Sequence, residues 1–450
     1  MLVCGIDIGS TNLKVGLSDG SGRLLSAEVV PTPRTGDDAG IVTDPVALLG
    51  RVEGMVLDAW RRLGANRPIR AIATTGVGED GVLLDAGLRP LDNVIPWFDR
   101  RASADAAAIR VDAATARRAG IAMEPTRTAA KWRWLSRHRP EAHRQAHLWV
   151  ALTDYPLIAW GAAPFISQTL AARTACYDPF MRGWIDELLA ASHAPPLPAA
   201  RPAGTIVGQM ACPRLIGSGA VTERTLLVAG GHDHPIAASA IHRLDRNARI
   251  DSLGTASVLY GETTQFRPGA PDPLIAYSVP VRGGEGMACI GVFEFSGALD
   301  TAGSRSAVRD YLAATPLPGD PGTPQPIGTG GTARRGIRQV LEAASMTSRA
   351  MFDGFAASGV APGPIYATGG WSRSHGLLQL RASVLGQSLF TADEAELALV
   401  GAALIAAGAT DAPASFAPAI RKVDPVAEWQ RIYDAAYPGF LDLLHAGSDR

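Results

Sequence analysis

Cysteine, lysine and aromatic residues are all scarce in this 450-residue chain, and no apolar run is long. The four cysteines, Cys4, Cys176, Cys212 and Cys289, are widely separated and form no C-x-x-C pair, which argues against a disulfide framework and a thiolate zinc site. The longest apolar stretch, Leu397 to Ala409, has 13 residues. That falls short of the roughly 20 that cross a bilayer, so it reads as a buried helix. An excess of either charge is missing too. Lys+Arg total 42 against 43 Asp+Glu, and the net charge of -1 offers a polyanion or an anionic membrane no long-range attraction. Neither nucleic acid nor membrane is expected as a partner. The first residues, MLVCGIDIG, run into a strand-like pattern without the basic and apolar regions of a secretion signal, so the cytoplasm is the expected compartment. What is abundant is small and apolar: 47% hydrophobic residues and 49 glycines, in a length that suits two or three globular domains.

Apolar runs at Leu2 to Ile8, Leu13 to Leu17 and Leu24 to Val30, separated by turn residues, predict a three-stranded meander. Asp44 and Pro45 then open a helix with Val46, Leu49, Val52, Val56 and Trp60 at helical spacing. Ile69 to Thr75 returns as a buried strand ending in glycine, Lys131 to His138 reads as one helix, and Pro195 to Pro202 as a connector. Arg249 to Tyr260 repeats the strand-turn-strand pattern around Gly254 and Thr255. Ile365 to Thr368 runs into Gly369-Gly370 much as the Ile69 strand runs into Gly76. Two similar halves are expected, with the boundary near Ala240 to Ala248 and a mobile loop at Pro316 to Gly331 inside the second.

Asp7-Ile8-Gly9-Ser10-Thr11 lies between two strands, where glycine permits close backbone approach and the amides and hydroxyls of Ser10 and Thr11 can hold phosphate oxygens. Alone, it is also an ordinary hairpin turn. Paired with Gly254-Thr255, it suggests two loops facing each other across a cleft and clamping a nucleotide's phosphates, with Asp7 placed to orient a magnesium ion. Gly76-Val-Gly78-Glu-Asp-Gly81 is formally a dinucleotide fingerprint, but VLLDAGLRP follows it, a strand and turn where the pyrophosphate would need a helix N-terminus. His232 and His234 form an H-x-H pair that could open a two-metal hydrolase site, yet such a site needs further ligands.

Seven segments, in order, resemble the FGGY family of carbohydrate kinases, which includes glycerol kinase and xylulokinase: GIDIGSTNLKVGL from Gly5, NVIPWFDRRA from Asn93, RTAAKWRWL from Arg127, LAARTACYD from Leu170, GGHDHPIAA from Gly230, LGTASV from Leu253, and ATGGWSRSHGLLQLRASVLG continuing to GAALIAA. The resemblance implies an α/β fold of two actin/hexokinase-like, ribonuclease H-like domains with a cleft between them. Residues 1–244 would carry the sugar site and catalytic base, and residues 245–450 would bind ATP. It makes Asp233 the general base on the acceptor hydroxyl, and Glu79 and Trp97 sugar contacts. A carboxylate accepts hydroxyl hydrogen bonds, and an indole face packs on C-H groups. Asp99 and Arg100 would buttress the pocket. Gly9, Ser10, Thr11, Gly254 and Thr255 would meet phosphates, and Lys14 is either a phosphate contact or a solvated strand end. Gly369 and Gly370, with Ser372 opening the next helix, would lie against the adenosine; Glu396 to Ala403 would back them with a small-residue helix or, as the favoured reading, serve helix packing alone. ATP and Mg2+ are the implied cofactors and a small sugar or polyol the substrate, ketoses and short polyols first. A non-catalytic nucleotide-binding regulator of the same fold is the rival reading. The chain departs from the family in being short, chiefly between Tyr260 and Ile337, so homodimer formation is left open. It departs again at Gly78, where a smaller residue is expected to enlarge the sugar pocket or leave room for water.

Overall fold

Residues 1–267, 272–281, 283–314, 336–410 and 415–448 are described by the computed structural model, so the expected loop Pro316 to Gly331 lies outside the described residues. The opening meander comprises β1 (Val3–Ile8), β2 (Asn12–Ser18) and β3 (Leu24–Pro31), paired antiparallel. β1 is buried along its whole length because it is central, whereas β3, at the sheet edge, alternates half-buried and exposed positions. Helix α1 (Pro45–Arg62) starts where Asp44 accepts from the Val46 and Ala47 amides, with Pro45 pre-set for the first turn. Its buried stripe runs through Leu48, Val52, Val56 and Trp60, while Val46, in the first turn, faces solvent.

β4 (Ala71–Gly76), β5 (Ile206–Gln209) and β6 (Leu226–His232) complete a six-stranded sheet in the order β5-β6-β4-β1-β2-β3. α2 (Thr128–His138) and α3 (Asp233–Ile241) belong to the same unit, and α3 begins directly where β6 ends.

The second unit repeats this plan. Its strands are β7 (Arg249–Leu253), β8 (Ala256–Thr263), β9 (Met287–Glu294), β10 (Ile365–Thr368), β11 (Leu389–Ala392) and β12 (Ile420–Val423). They lie consecutively as β9-β8-β7-β10-β11-β12, with β7 antiparallel to β8, β8 antiparallel to β9, β7 parallel to β10, β10 parallel to β11 and β11 antiparallel to β12. Each orientation matches its counterpart in the first sheet. Even the strand-ending glycines correspond: a Cβ on Gly76 would lie 2.4 Å from the Ile8 carbonyl, and one on Gly369 2.7 Å from that of Leu253. Gly369 also has φ 82°, which a side chain would strain.

Helix α4 (Ile337–Ala357) and helix α5 (His375–Leu385) pack together in the second unit. Arg381 of α5 donates to the Ala344 carbonyl (3.0 Å) and to Ser348 of α4, and its Nε lies 3.5 Å from Asp251 of β7, with both charged side chains fully buried. α5 is capped by Ser374, which accepts from the Leu377 amide. Ser372, expected to open the helix, sits instead in a 3-10 turn, Gly370–Arg373.

The chain leaves the first unit after Leu244, and two later segments, Tyr277–Glu285 and Glu396–Ala417, return to it. The second return carries α6 (Leu397–Gly408), which packs within the first unit. It packs on β1 and α3 at backbone contact: a Cβ on Gly5 would lie 2.4 Å from the Leu399 carbonyl, and one on Gly401 2.2 Å from that of Ile236. The run of alanine and glycine in α6 is what lets the backbones approach so closely. Among the described residues, no helix is long and apolar enough to cross a membrane.

Candidate active site

Both hairpin loops are fastened by their carbonyls. In the first unit Thr32 donates its hydroxyl to the Gly9 carbonyl (2.7 Å) and its amide to that of Thr11 (2.9 Å), while Arg34 Nη2 donates to the Ser10 carbonyl (3.2 Å). The two ends of a trans peptide point opposite ways. Holding the Gly9 and Ser10 carbonyls on one side therefore turns the Ser10 and Thr11 amides to the other, where they meet no acceptor among the described residues. The second unit does the same with different parts. The Thr255 carbonyl accepts from the Phe295 and Ser296 amides (3.2 and 2.8 Å), and the Gly254 carbonyl accepts from the Ser296 hydroxyl (3.0 Å). Free amides in such a turn are the donors an anion would need.

Asp7, next to the last residue of β1, is 95% buried, with Oδ1 lacking a partner among the described residues and Oδ2 3.4 Å from Lys14 Nζ. Burial pushes its carboxyl up to about 7; Lys14 opposes this, and the charges of Asp233 and Glu396 add to it. Lys14 is held at 2.6 Å by Glu396, the first residue of the returning segment. It is therefore an internal counter-ion rather than a solvated strand end.

Asp233 is the first residue of α3. Gly230 and Gly231 precede it because β6 presses against β4 and Thr169 there: Cβ atoms would lie 1.9 Å from the Thr74 carbonyl and 2.1 Å from Thr169 Oγ1. The Thr169 hydroxyl also accepts the His232 amide (3.0 Å). Asp233 keeps 27% of its side chain exposed and has His232 Nε2 and His234 Nε2 at 3.4 and 3.8 Å from Oδ1. Burial brings His232 down to about 4, so this imidazole is neutral at pH 7. Among the described residues no three His, Cys, Asp or Glu side chains converge as a metal centre, so the H-x-H pair has no further ligands there.

Glu79 follows β4 and is 96% buried. Its Oε1 accepts from Arg127 Nη1 (2.8 Å), Arg173 Nε (2.9 Å) and Arg173 Nη2 (2.5 Å), while Oε2 takes no hydrogen bond among the described residues. Burial alone would raise this carboxyl, but Arg173 and Arg127, followed by His232 and Lys131, outweigh it and hold it at about 2. Lys131 of α2 donates to the Glu79 and Ile95 carbonyls (3.2 and 3.0 Å), bracing the turn that holds Glu79 and the segment leading to Trp97. Trp97 is 39% exposed, its ring edge-on to Phe98 at 6.0 Å.

One expectation changes. The space over Gly78 is not an enlarged pocket, since a Cβ there would meet Arg173 Cγ at 2.6 Å and His232 Cδ2 at 3.1 Å. Asp99 is clasped by Arg101 through Nε (3.0 Å) and Nη2 (2.8 Å). Arg127 and Arg173 lie in segments that resemble the family, but sequence reasoning gave neither a role. They lie 48 and 94 residues from Glu79, and no spacing rule connects them to it.

The sequence model for the N-terminal domain of the FGGY family of carbohydrate kinases matches residues 2–240, and that for the C-terminal domain residues 323–410. The chain belongs to the FGGY family of carbohydrate kinases. Relatives of this FGGY chain include a xylulose kinase of Escherichia coli (strain K12), 26% identical over 292 residues, covering 62% of this chain and 58% of that one. A glycerol kinase of Allorhizobium ampelinum is 30% identical over 206 residues, 43% of this chain and 41% of that one. The chain thus spans about half the length of the curated relatives it matches. The solved xylulose kinase of Rhodospirillum rubrum superimposes with a TM-score of 0.85 at 20% identity, covering 100% of both chains. The two-domain actin/hexokinase-like fold is therefore shared, and the duplicated sheets are its two halves.

Proposed function

We propose that this FGGY chain transfers the γ-phosphate of ATP to a hydroxyl of a small sugar or polyol. The observation that carries the reading is the pair of carboxylates at the ends of β1 and β6: buried Asp7 with an unpartnered oxygen, and partly exposed Asp233 close enough to perturb it. Phosphoryl transfer asks for an acceptor hydroxyl in line with the phosphorus and a base to receive its proton. Asp233 serves as that base, kept accessible at a helix start and flanked by a neutral His232. The phosphate contacts are the free amides of Ser10 and Thr11, with Gly9 fixing the turn by donating its own amide to the Asn12 carbonyl (3.1 Å), and Gly254 and Thr255 in the matching turn of the second unit. Gly369 and Gly370 receive the adenosine.

A hydrated magnesium ion fits the orphaned Asp7 oxygen, because such ions keep most of their water and use one or two carboxylates. Bound there, it would offset the charge on the phosphates. Lys14, paired with Glu396, keeps the Asp7 carboxylate from standing uncompensated before nucleotide arrives. On the acceptor side, Glu79 Oε2 accepts one hydroxyl while the arginines hold Oε1, and Trp97 offers its face to C-H groups.

The curated relatives act, by name, on xylulose and on glycerol, which puts ketoses and short polyols first among acceptors. ADP release from Mg-ATP, measured across C3 to C7 polyols, aldoses and ketoses, tests the proposal. One acceptor should give turnover that Asp233→Asn abolishes while ATP affinity stays nearly unchanged. Equal turnover in the variant sinks the base assignment, and ATP binding without turnover on any acceptor favours a regulator.

A further inference from the structure

A single guanidinium, that of Arg34, reaches both the phosphate loop and the neighbours of the two proposed acceptor contacts, Glu79 and Trp97. Arg34 lies just beyond β3, with 19% of its side chain exposed. Nη2 donates to the Ser10 carbonyl of the phosphate loop (3.2 Å). Nη1 donates to the Thr43 hydroxyl and lies 4.0 Å from Asp80 Oδ2, next in sequence to Glu79. Its Cζ stands 5.4 Å from the ring centre of Phe98, next in sequence to Trp97. Thr43 in turn exchanges both backbone hydrogen bonds with Val94 (3.0 and 2.9 Å), in the strand-like segment that delivers Trp97.

Building on the kinase reading, we infer that Arg34 is a positioning residue that couples the nucleotide's phosphate loop to the acceptor's pocket. A guanidinium is a rigid planar fork, so it cannot follow Ser10 without tilting against Thr43, Asp80 and Phe98. Among the described residues the buried Nε group has no partner, so the fork is held there by these contacts, and the Ser10 carbonyl accepts from no other donor. Phosphate seated on the Ser10 and Thr11 amides shifts that carbonyl, and the shift reaches the neighbours of Glu79 and Trp97. Coupling of this kind is reciprocal: an acceptor resting on Trp97 steadies the phosphate loop in return. Arg34 touches neither reactant.

The test reads Trp97 directly. Protein labelled with 5-fluorotryptophan is titrated with Mg-ATP and followed by fluorine NMR, the Trp97 line being assigned by its loss in Trp97→Phe. ATP affinity is measured separately by calorimetry. In the wild type Mg-ATP moves the Trp97 line. In Arg34→Met, which keeps the packing against Phe98 but removes the donors, the line stays still while ATP affinity changes by less than about threefold, a difference that isolates coupling from binding. Arg34→Lys, with charge but a single donor head, gives a partial shift and serves as the reporter should the methionine variant fail to fold. A Trp97 line that ignores bound ATP in the wild type, or moves equally in the variants, overturns the coupling while leaving the kinase reading intact. Absence of ATP binding in the wild type overturns the kinase reading and the coupling with it.

Discussion

Glu79 shows why residue identity alone understates a site. As a lone carboxylate it is a generic hydroxyl acceptor; with three arginine bonds on one oxygen it becomes a fixed one. Glu79→Gln leaves two buried guanidiniums facing an amide, and the expected loss is about 3 kcal/mol of stability in denaturant titration. The acceptor KM should rise by about tenfold while the ATP KM holds, since one charged hydrogen bond to a hydroxyl is lost.

His232 makes the opposite case, a polar ring kept neutral by burial. Its value of about 4 lies below the ordinary 6.5, so the folded state disfavours its proton. Its contribution to stability is complete above pH 6.5 and is lost as pH falls toward 4. His232→Gln should therefore flatten that part of the profile, narrowing the drop in unfolding free energy between pH 7 and 4.5 by about 2 kcal/mol. An unchanged slope would show that the imidazole does not titrate there.

Elements are set by how near their backbones can come. α6 can lie on β1 and α3 only because Gly5 and Gly401 carry no side chain at the contact points. Gly401→Ala puts a methyl 2.2 Å from a carbonyl oxygen that belongs to backbone and cannot swing away, so destabilisation by about 2 to 3 kcal/mol is expected in denaturant titration. Gly50 of α1 supplies the contrast: it is exposed, with nothing within 4 Å of its would-be Cβ. Gly50→Ala should stabilise by about 0.5 to 1 kcal/mol through helix propensity and a less mobile unfolded chain. The alanine and glycine richness of α6 announced a buried helix. Its return to the first unit could not be read from the chain order, because 396 residues precede it and the partner glycine, Gly5, stands at the other end.

At the scale of the whole molecule the dominant fact is duplication. Six consecutive strands of each sheet share spatial order and orientation although their helices, loops and sequences differ, and Gly76, which ends β4, and Gly369, just after β10, occupy the same place. Charge is the other global property. A net charge of -1 predicts no retention on heparin at physiological salt, and retention there would show that local basic patches outweigh the balance.

The order of turns, strands and glycines was enough to reveal the two halves and the hairpin loops, because these depend on local periodicity and on glycine's freedom, which neighbours in sequence decide; Asp233 was singled out only through the family resemblance of its segment. The fold family followed from the same short segments. Tertiary structure alone decided the rest: which arginines clamp Glu79, that Arg173 and His232 cover Gly78, that Lys14 answers to Glu396, and that Arg34 spans from Ser10 to Phe98. Each is a contact between side chains from distant parts of the chain. Charge pairing and close packing set such contacts in three dimensions, and sequence spacing carries no record of them.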